Sequence, residues 1–141
     1  MSIRSPILSA SHACPRWAIV AAFLSVGFGL LTVIVGGRAL FGDAAARVAV
    51  GNAVPFVLWF NFLCGFAYVA AGIGLYRWTR WAALLSAAIA VSTLVVFGAF
   101  LSHIALGGLF ETRTIGAMIL RSTVWCAIAI PACRSLACGR A

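Results

Sequence analysis

The chain carries few charged residues, and lysine is absent from it. It contains only two acids, Asp43 and Glu111, and all ten of its basic residues are arginines. Charged residues make up 9% of the 141 residues and hydrophobic ones 65%, whereas a soluble domain carries about a quarter charged residues. A water-facing surface cannot be built from this composition, and disorder would require low hydrophobicity. We therefore expect an integral membrane protein.

Patterns that would identify an enzyme are missing as well. The sequence has no glycine-rich phosphate loop, no nucleophile elbow and no catalytic-triad pattern, and its five cysteines contain no Cys-x-x-Cys pair. An odd number of cysteines does not imply a disulfide framework. The arginines interrupt apolar runs singly or in pairs, which does not fit a clustered nucleic-acid surface. We expect no nucleic-acid partner and no catalytic activity of the chain's own.

What the chain has in abundance is long apolar runs, separated by arginine-bearing breaks. Four runs are long enough to cross the hydrocarbon core as helices, since about 20 residues span roughly 30 Å. Their approximate bounds are 17–37, 53–76, 82–102 and 114–132. The connections are short, and neither a separate water-soluble domain nor a repeat is evident. We predict an all-α fold, in which residues 1–141 form one integral membrane domain, an antiparallel four-helix bundle.

The distribution of arginines predicts the orientation of this bundle. An even number of spans places both termini on one side, and six arginines accompany them there: Arg4, Arg16, Arg77, Arg80, Arg134 and Arg140. The opposite side carries Arg38, Arg47 and Arg113 and both acids, so the positive-inside rule predicts cytoplasmic termini. Trp17, Trp78 and Trp81 gather at the same boundary, as interfacial aromatics do. Arginine without lysine, together with abundant alanine, is typical of GC-rich bacteria, so we expect the bacterial inner membrane.

The fourth span holds the most informative residue, Arg121, which lies seven residues after Thr114 and therefore about 10 Å along the helix. A charge at such a depth costs about 2.5–3.5 kcal/mol unless it snorkels or finds a partner. A spacing of three and four predicts one bundle-facing stripe, made of Glu111, Thr114, Met118, Arg121 and Trp125. Arg121 then belongs to a site for an anion or a quinone-like headgroup, or to a polar contact with a partner subunit. Alternatively, it snorkels and bonds backbone carbonyls or Asn61.

Metal binding is a second hypothesis for the end of the bundle opposite the termini. His103 closes the third span and Glu111 opens the fourth, and Met118 lies one to two turns deeper. These three side chains could form part of a divalent-metal or proton-relay site, although zinc needs three or four firm ligands. Otherwise His103 is interfacial and Glu111 is favoured by the helix dipole. A soft-metal site on the terminal side would use His12, Cys14, Cys133 and Cys138.

The second span presents small and polar residues on one face, at Asn61, Cys64, Tyr68 and Gly72. Small residues allow membrane helices to approach closely, and an asparagine can hydrogen-bond across the interface. We therefore expect Asn61 and Tyr68 to serve in helix packing or partner contact, with substrate contact as the alternative. The glycines of the first span, Gly27, Gly29 and Gly36, predict packing in the same way.

The run FLCGFAYVAAGIGL at 62–75, followed by RWAALL at 80–85, resembles the DoxX-like small four-helix membrane proteins. Pro55 at the start of the second span and His103 at the end of the third are similar too. That family often carries a glutamate in its second helix, where the nearest polar residue here is Asn61. The resemblance implies a four-helix bundle that accompanies redox systems, including a subunit of thiosulfate:quinone oxidoreduction.

Three functions therefore stay open. The first is an accessory or assembly subunit of a membrane complex, plausibly respiratory, with other subunits or further copies as partners besides lipid. The second is a metal or redox protein that uses His103 and Glu111. The third is a small oligomeric transporter with an anion pathway past Arg121; proton-coupled cation export is disfavoured because no acid lies inside a span.

Overall fold

The fold consists of four membrane-length helices and one short helix. The computed structural model describes residues 15–137, and in this part of the chain four helices are long and apolar enough to cross a membrane. The helices are α1 (Arg16–Phe41), α2 (Ala44–Val50), α3 (Pro55–Tyr76), α4 (Arg80–Ala105) and α5 (Thr112–Ala137). The predicted all-α bundle and its four spans are confirmed, and the long helices mostly continue a few residues beyond the apolar runs. The two described chain ends lie on one side of the bundle, called here the terminal side; the opposite side is the loop side.

The short helix α2 lies in the connection between the first two spans, where the sequence predicted no helix. Its signals are local: the Asp43 carboxylate accepts a hydrogen bond from the Ala46 backbone N–H at 2.9 Å, which is a normal N-cap. Gly51 ends the helix with a φ of 64°, a conformation that glycine adopts at no steric cost. Pro55 then opens α3 in its first turn, where its missing N–H costs nothing.

Helices α1 and α3 pack antiparallel with their backbones in close contact. A Cβ atom added to Gly29 would lie 2.8 Å from the carbonyl oxygen of Gly65, and one added to Gly72 would lie 2.8 Å from that of Ala22. Since real Cβ atoms are not found at such distances, only glycine fits at these crossing points. The predicted packing role of the glycines in the first two spans is thereby confirmed for Gly29, Gly65 and Gly72. It is wrong for Gly27, where an added Cβ would meet nothing within 4 Å because this residue faces away from the neighbouring helices.

The remaining helices follow as antiparallel hairpins. Residues 77–79 turn α3 into α4, and Gly74 packs directly against Trp81 and Ala82. The Cys133 thiol of α5 donates a hydrogen bond to the Ala83 carbonyl of α4 at 3.6 Å. Pro131 lies inside α5 without ending it. The long helices are therefore arranged in the order α1, α3, α4, α5, because each one packs against the next in that order.

The core divides into two clusters along the membrane normal. The cluster nearer the terminal side draws on all four long helices, and its largest members are Trp125, Tyr68 and Leu75. The cluster nearer the loop side consists of Val54, Val57, Phe100 and Met118 and lacks buried α1 residues. Large apolar side chains such as Phe23, Leu84 and Val95 are exposed on the outside, as lipid contact requires.

Candidate functional site around Arg121

Arg121 lies beside the interface of α5 with α1 and is only partly exposed. Its guanidinium carbon stands 5.6 Å from the centre of the Phe28 ring on α1, which is within cation–π distance. Its Nε is buried and has no hydrogen-bond partner among the described residues. A cation–π contact offsets part of the cost of this charge and leaves its hydrogen-bond donors unused.

The chain's two carboxylates do not serve Arg121, since both lie on the loop side and have other contacts. Asp43 caps α2. Glu111 accepts a hydrogen bond from the Asn52 backbone N–H at 3.1 Å and stands 4.0 Å from the Arg113 guanidinium. Arg121 therefore has no counter-charge within residues 15–137.

Behind Arg121, two fully buried aromatic residues pack against each other. The rings of Tyr68 on α3 and Trp125 on α5 have centroids 4.7 Å apart, and Phe28 on α1 stacks with Tyr68 at 5.8 Å with an interplanar angle of 11°. Contact between α5 and the α1–α3 pair is thus made by large side chains rather than by backbone.

The polar atoms of this aromatic group are close to one another, yet none of them has a hydrogen bond of normal geometry. The Tyr68 side chain interacts electrostatically with Arg121 and Cys64 and lies near Thr93 of α4 and Trp125. The Tyr68 hydroxyl, the Thr93 hydroxyl and the Trp125 indole N–H are all buried without a partner among the described residues. Buried polar groups are normally hydrogen-bonded, so several of them together mark this region as unusual. Arg121, Tyr68, Thr93 and Trp125 are called the donor cluster below.

The other residues expected to contribute to packing or partner contact are placed less centrally. The Asn61 side-chain oxygen is buried without a partner, and no hydrogen bond joins Asn61 to Arg121. Thr114 is half-buried on α5. Cys64 lies near Arg121 and Tyr68 but is not fully buried.

The three residues of the metal hypothesis are distributed over the loop side. His103 lines a cavity of about 400 Å³ with residues 51–55 and Leu109, and its ring packs against Phe56 and Gly108. Glu111 reaches the same segment through Asn52. Met118 is fully buried in the apolar loop-side cluster. No group of three or more His, Cys, Asp or Glu side chains suited to a metal occurs within residues 15–137.

The soft-metal hypothesis for the terminal side depends mostly on residues outside the described range. His12, Cys14 and Cys138 lie beyond it, and Cys133 contributes its thiol to the contact with Ala83. The aromatic boundary on this side is present, with the rings of Trp17 and Trp78 5.6 Å apart and nearly perpendicular.

Two members of the site were not expected from the sequence, Phe28 and Thr93. Both lie in apolar runs, and which residue of one helix faces which residue of another depends on how the helices are aligned. A hydroxyl at Thr93, seven residues after Ser86 on the same buried face of α4, was the one available signal.

Comparison of the chain with protein-family models, with curated proteins and with solved structures finds no match. The resemblance to DoxX-like proteins accordingly rests on the residues at 62–75 and 80–85. The fold itself establishes a small, multi-pass integral membrane protein whose interior holds an arginine without a counter-charge in the described chain.

Proposed function

We propose that the chain is an accessory subunit of a bacterial membrane complex, of the redox type, and that it contributes the donor cluster around Arg121. The observation that carries the proposal is the absence of any acceptor for the Arg121 guanidinium among the described residues. An intramembrane charge is expensive to insert and is normally paired. An acceptor outside the chain would account for it.

Other features agree with a subunit rather than an independent enzyme. Within residues 15–137 the connections between the long helices are short, and the outer faces are apolar. The resemblance of the 62–75 and 80–85 segments to DoxX-like proteins points to redox systems. The arginine distribution supports an inner-membrane location with cytoplasmic termini.

The test is purification of the native complex in a mild detergent, with its subunits quantified by mass spectrometry. We expect further membrane subunits in a fixed ratio to this chain, and their yield should drop at least several-fold with Arg121→Gln. Arg134→Gln is the matched control, because Arg134 is an exposed arginine in the last turn of α5. Recovery of the chain alone, from wild type and variants alike, would contradict the proposal.

The metal hypothesis for His103, Glu111 and Met118 keeps one supporting observation. His103 and Glu111 both border the segment 51–55 on the loop side. Metal analysis of purified wild type and of a His103→Ala, Glu111→Ala double variant tests it: equal metal contents in the two would eliminate the site.

The anion-transport hypothesis shares the Arg121 observation with the main proposal. Anion flux into proteoliposomes that is present in wild type and lost in Arg121→Gln would favour it. Absence of flux in wild type would exclude it.

A further inference from the structure

We infer that the surface around Arg121, between α1 and α5, is the docking site of a membrane-spanning helix from a different protein, and that this helix carries an aspartate or glutamate at mid-membrane depth. The inference deepens the proposed function and rests on it for the existence of a partner. It identifies the acceptor of the Arg121 guanidinium as a carboxylate, and it excludes further copies of this chain as the source.

The Arg121 guanidinium lies near the middle of the membrane rather than at its boundary. Its carbon stands 5.6 Å from the centre of the Phe28 ring, and Phe28 is the 13th of the 26 residues of α1, counted from Arg16. Because the hydrocarbon core is about 30 Å thick, its middle is about 15 Å from either boundary. The side chain has therefore not snorkelled to the interface, and lipid phosphates lie outside its reach.

The 141 residues of this chain cannot supply a carboxylate at that depth, whether from the same molecule or from a second copy. The only acids are Asp43 and Glu111. Asp43 caps α2 on the loop side, and Glu111 precedes α5 on the same side and accepts from the Asn52 backbone N–H. A second copy, in either orientation, would place its two carboxylates at a membrane boundary. Self-association therefore leaves Arg121 without a counter-charge.

A carboxylate is the acceptor that suits this guanidinium best. Charged side chains inside a membrane are rare and normally pair with one another, and the Arg121 Nε is buried without a partner among the described residues. A carboxylate accepts two parallel hydrogen bonds from a guanidinium, which a single carbonyl oxygen cannot do. A carboxylate on the partner helix would carry an insertion cost of its own, and the pairing reduces both costs together.

The α1 side of the docking surface is apolar and open to lipid. Helix α1 makes its close backbone contacts with α3 and α2, whereas its backbone makes few or no close approaches to α5. Leu24 and Leu31, four residues before and three residues after Phe28, share a helix face with it and are 62% and 57% exposed. A second helix can therefore pack along α1 beside Phe28.

The α5 side of the docking surface is lined by half-buried residues. Ala117 and Val124, four residues before and three residues after Arg121, share its helix face and are half-buried, as Arg121 itself is. A small residue such as Ala117 allows membrane helices to approach closely. A partner helix along α1 and α5 would reach Arg121 from the lipid, without entering the buried ring contact of Tyr68 with Trp125.

The test measures how a defined transmembrane peptide binds the full purified chain in phosphatidylcholine nanodiscs, by energy transfer between labels on the two. The probe is a lysine-flanked polyleucine helix of about 20 residues with one aspartate at its centre, and the matched peptides carry asparagine or leucine there. We expect the aspartate peptide to bind about tenfold more tightly than the asparagine peptide, because hydrogen bonds between charged groups are the stronger ones.

Variants of the chain locate the effect. Arg121→Gln should remove the preference for aspartate over asparagine, whereas Arg134→Gln, at an exposed position in the last turn of α5, should keep it. Arg121→Lys guards against a failure of Arg121→Gln to fold, because it retains the charge; we expect a several-fold preference and an unchanged helical circular-dichroism spectrum. A peptide whose aspartate is moved by about 10 Å, or two helical turns, should bind no better than the leucine peptide.

Three results would overturn the inference. Equal binding of the aspartate, asparagine and leucine peptides by wild type would show that no carboxylate is recognised. Loss of the aspartate preference when phosphatidylglycerol replaces phosphatidylcholine would assign the guanidinium to a lipid phosphate. Association between labelled copies of the chain that is lost in Arg121→Gln would assign it to a second copy.

The proposed function fails in a different way, since it requires only that native subunits co-purify in a fixed ratio. Co-purification that depends on Arg121, combined with no aspartate preference, would retain the accessory subunit and overturn the carboxylate as its acceptor. An aspartate preference, combined with recovery of the chain alone from its native membrane, would support the carboxylate site and contradict the subunit role.

Discussion

The α1–α3 interface and the contact of α5 with that pair are built in opposite ways. Between α1 and α3, glycines bring backbone against backbone, and a Cβ added at Gly29, Gly65 or Gly72 would collide with the opposite helix. Between α5 and the pair, Trp125 packs on Tyr68 with ring centroids 4.7 Å apart, and the Arg121 guanidinium lies 5.6 Å from the centre of the Phe28 ring. The first interface is mainly backbone contact and holds one unpartnered hydroxyl, that of Ser25. The second keeps nitrogen donors, Arg121 Nε and the Trp125 indole N–H, without partners among residues 15–137.

The difference teaches which interface holds the fold together and which one is available for binding. Membrane helices associate through van der Waals packing, because lipid supplies no hydrophobic driving force between them. A close glycine contact is therefore a direct source of stability between the two helices. A contact with unpartnered buried donors sacrifices stability, which is reasonable where another molecule completes it.

The largest effect on stability should come from removing the Trp125 side chain, which joins α5 to α3. Trp125→Ala deletes a fully buried ring, and we expect a loss of about 3–5 kcal/mol in unfolding free energy, as for other buried aromatic residues. The control is Trp59→Ala, whose ring is 46% exposed and packs only along its edge with Phe41 and Phe62. Reversible unfolding in mixed detergent measures both, and equal losses would mean that Trp125 has no special role.

The next largest effect on stability is expected from substitutions at the glycine contacts between α1 and α3. Gly29→Leu places side-chain atoms against the Gly65 carbonyl, so α1 and α3 must separate, at a cost of about 3 kcal/mol, the upper part of the range for overpacking. Gly27 is the matched control, because a Cβ there meets nothing within 4 Å. Gly27→Leu should leave the unfolding free energy unchanged or slightly raised. A tolerated Gly29→Leu would refute the close packing.

The smallest effect on stability is expected from removing the Tyr68 hydroxyl, which makes no hydrogen bond with the described residues. Tyr68→Phe keeps the stack with Trp125 and removes a buried, unpartnered polar atom, so the isolated chain should change by less than about 1 kcal/mol, toward greater stability. The conservative change Thr93→Val should behave in the same way. A loss larger than about 1 kcal/mol in either variant would reveal a hydrogen bond within the chain.

The sequence was sufficient for the architecture because the four apolar runs are unmistakable by length and composition. It was also sufficient for the interior side of α5, since Met118 and Trp125 follow the helical spacing and are fully buried. It was insufficient for α2, whose signals, Asp43 and Gly51, are local and lie in a short connection between two spans. The sequence could not predict which residues surround Arg121. Phe28, Tyr68 and Thr93 lie on three separate helices, and whether they come close together depends on how those helices are aligned along the membrane normal.

The central claim is that Arg121 finds no acceptor within residues 15–137, and the stability of Arg121→Leu in the purified, ligand-free protein tests it most directly. Replacing an unpaired intramembrane charge by leucine should raise the unfolding free energy, by about 2 kcal/mol if most of the insertion cost is recovered. The Arg134→Leu control, at an exposed position near the end of α5, should change little. A clear loss of stability in Arg121→Leu would show that the arginine is satisfied within the chain and would contradict the account.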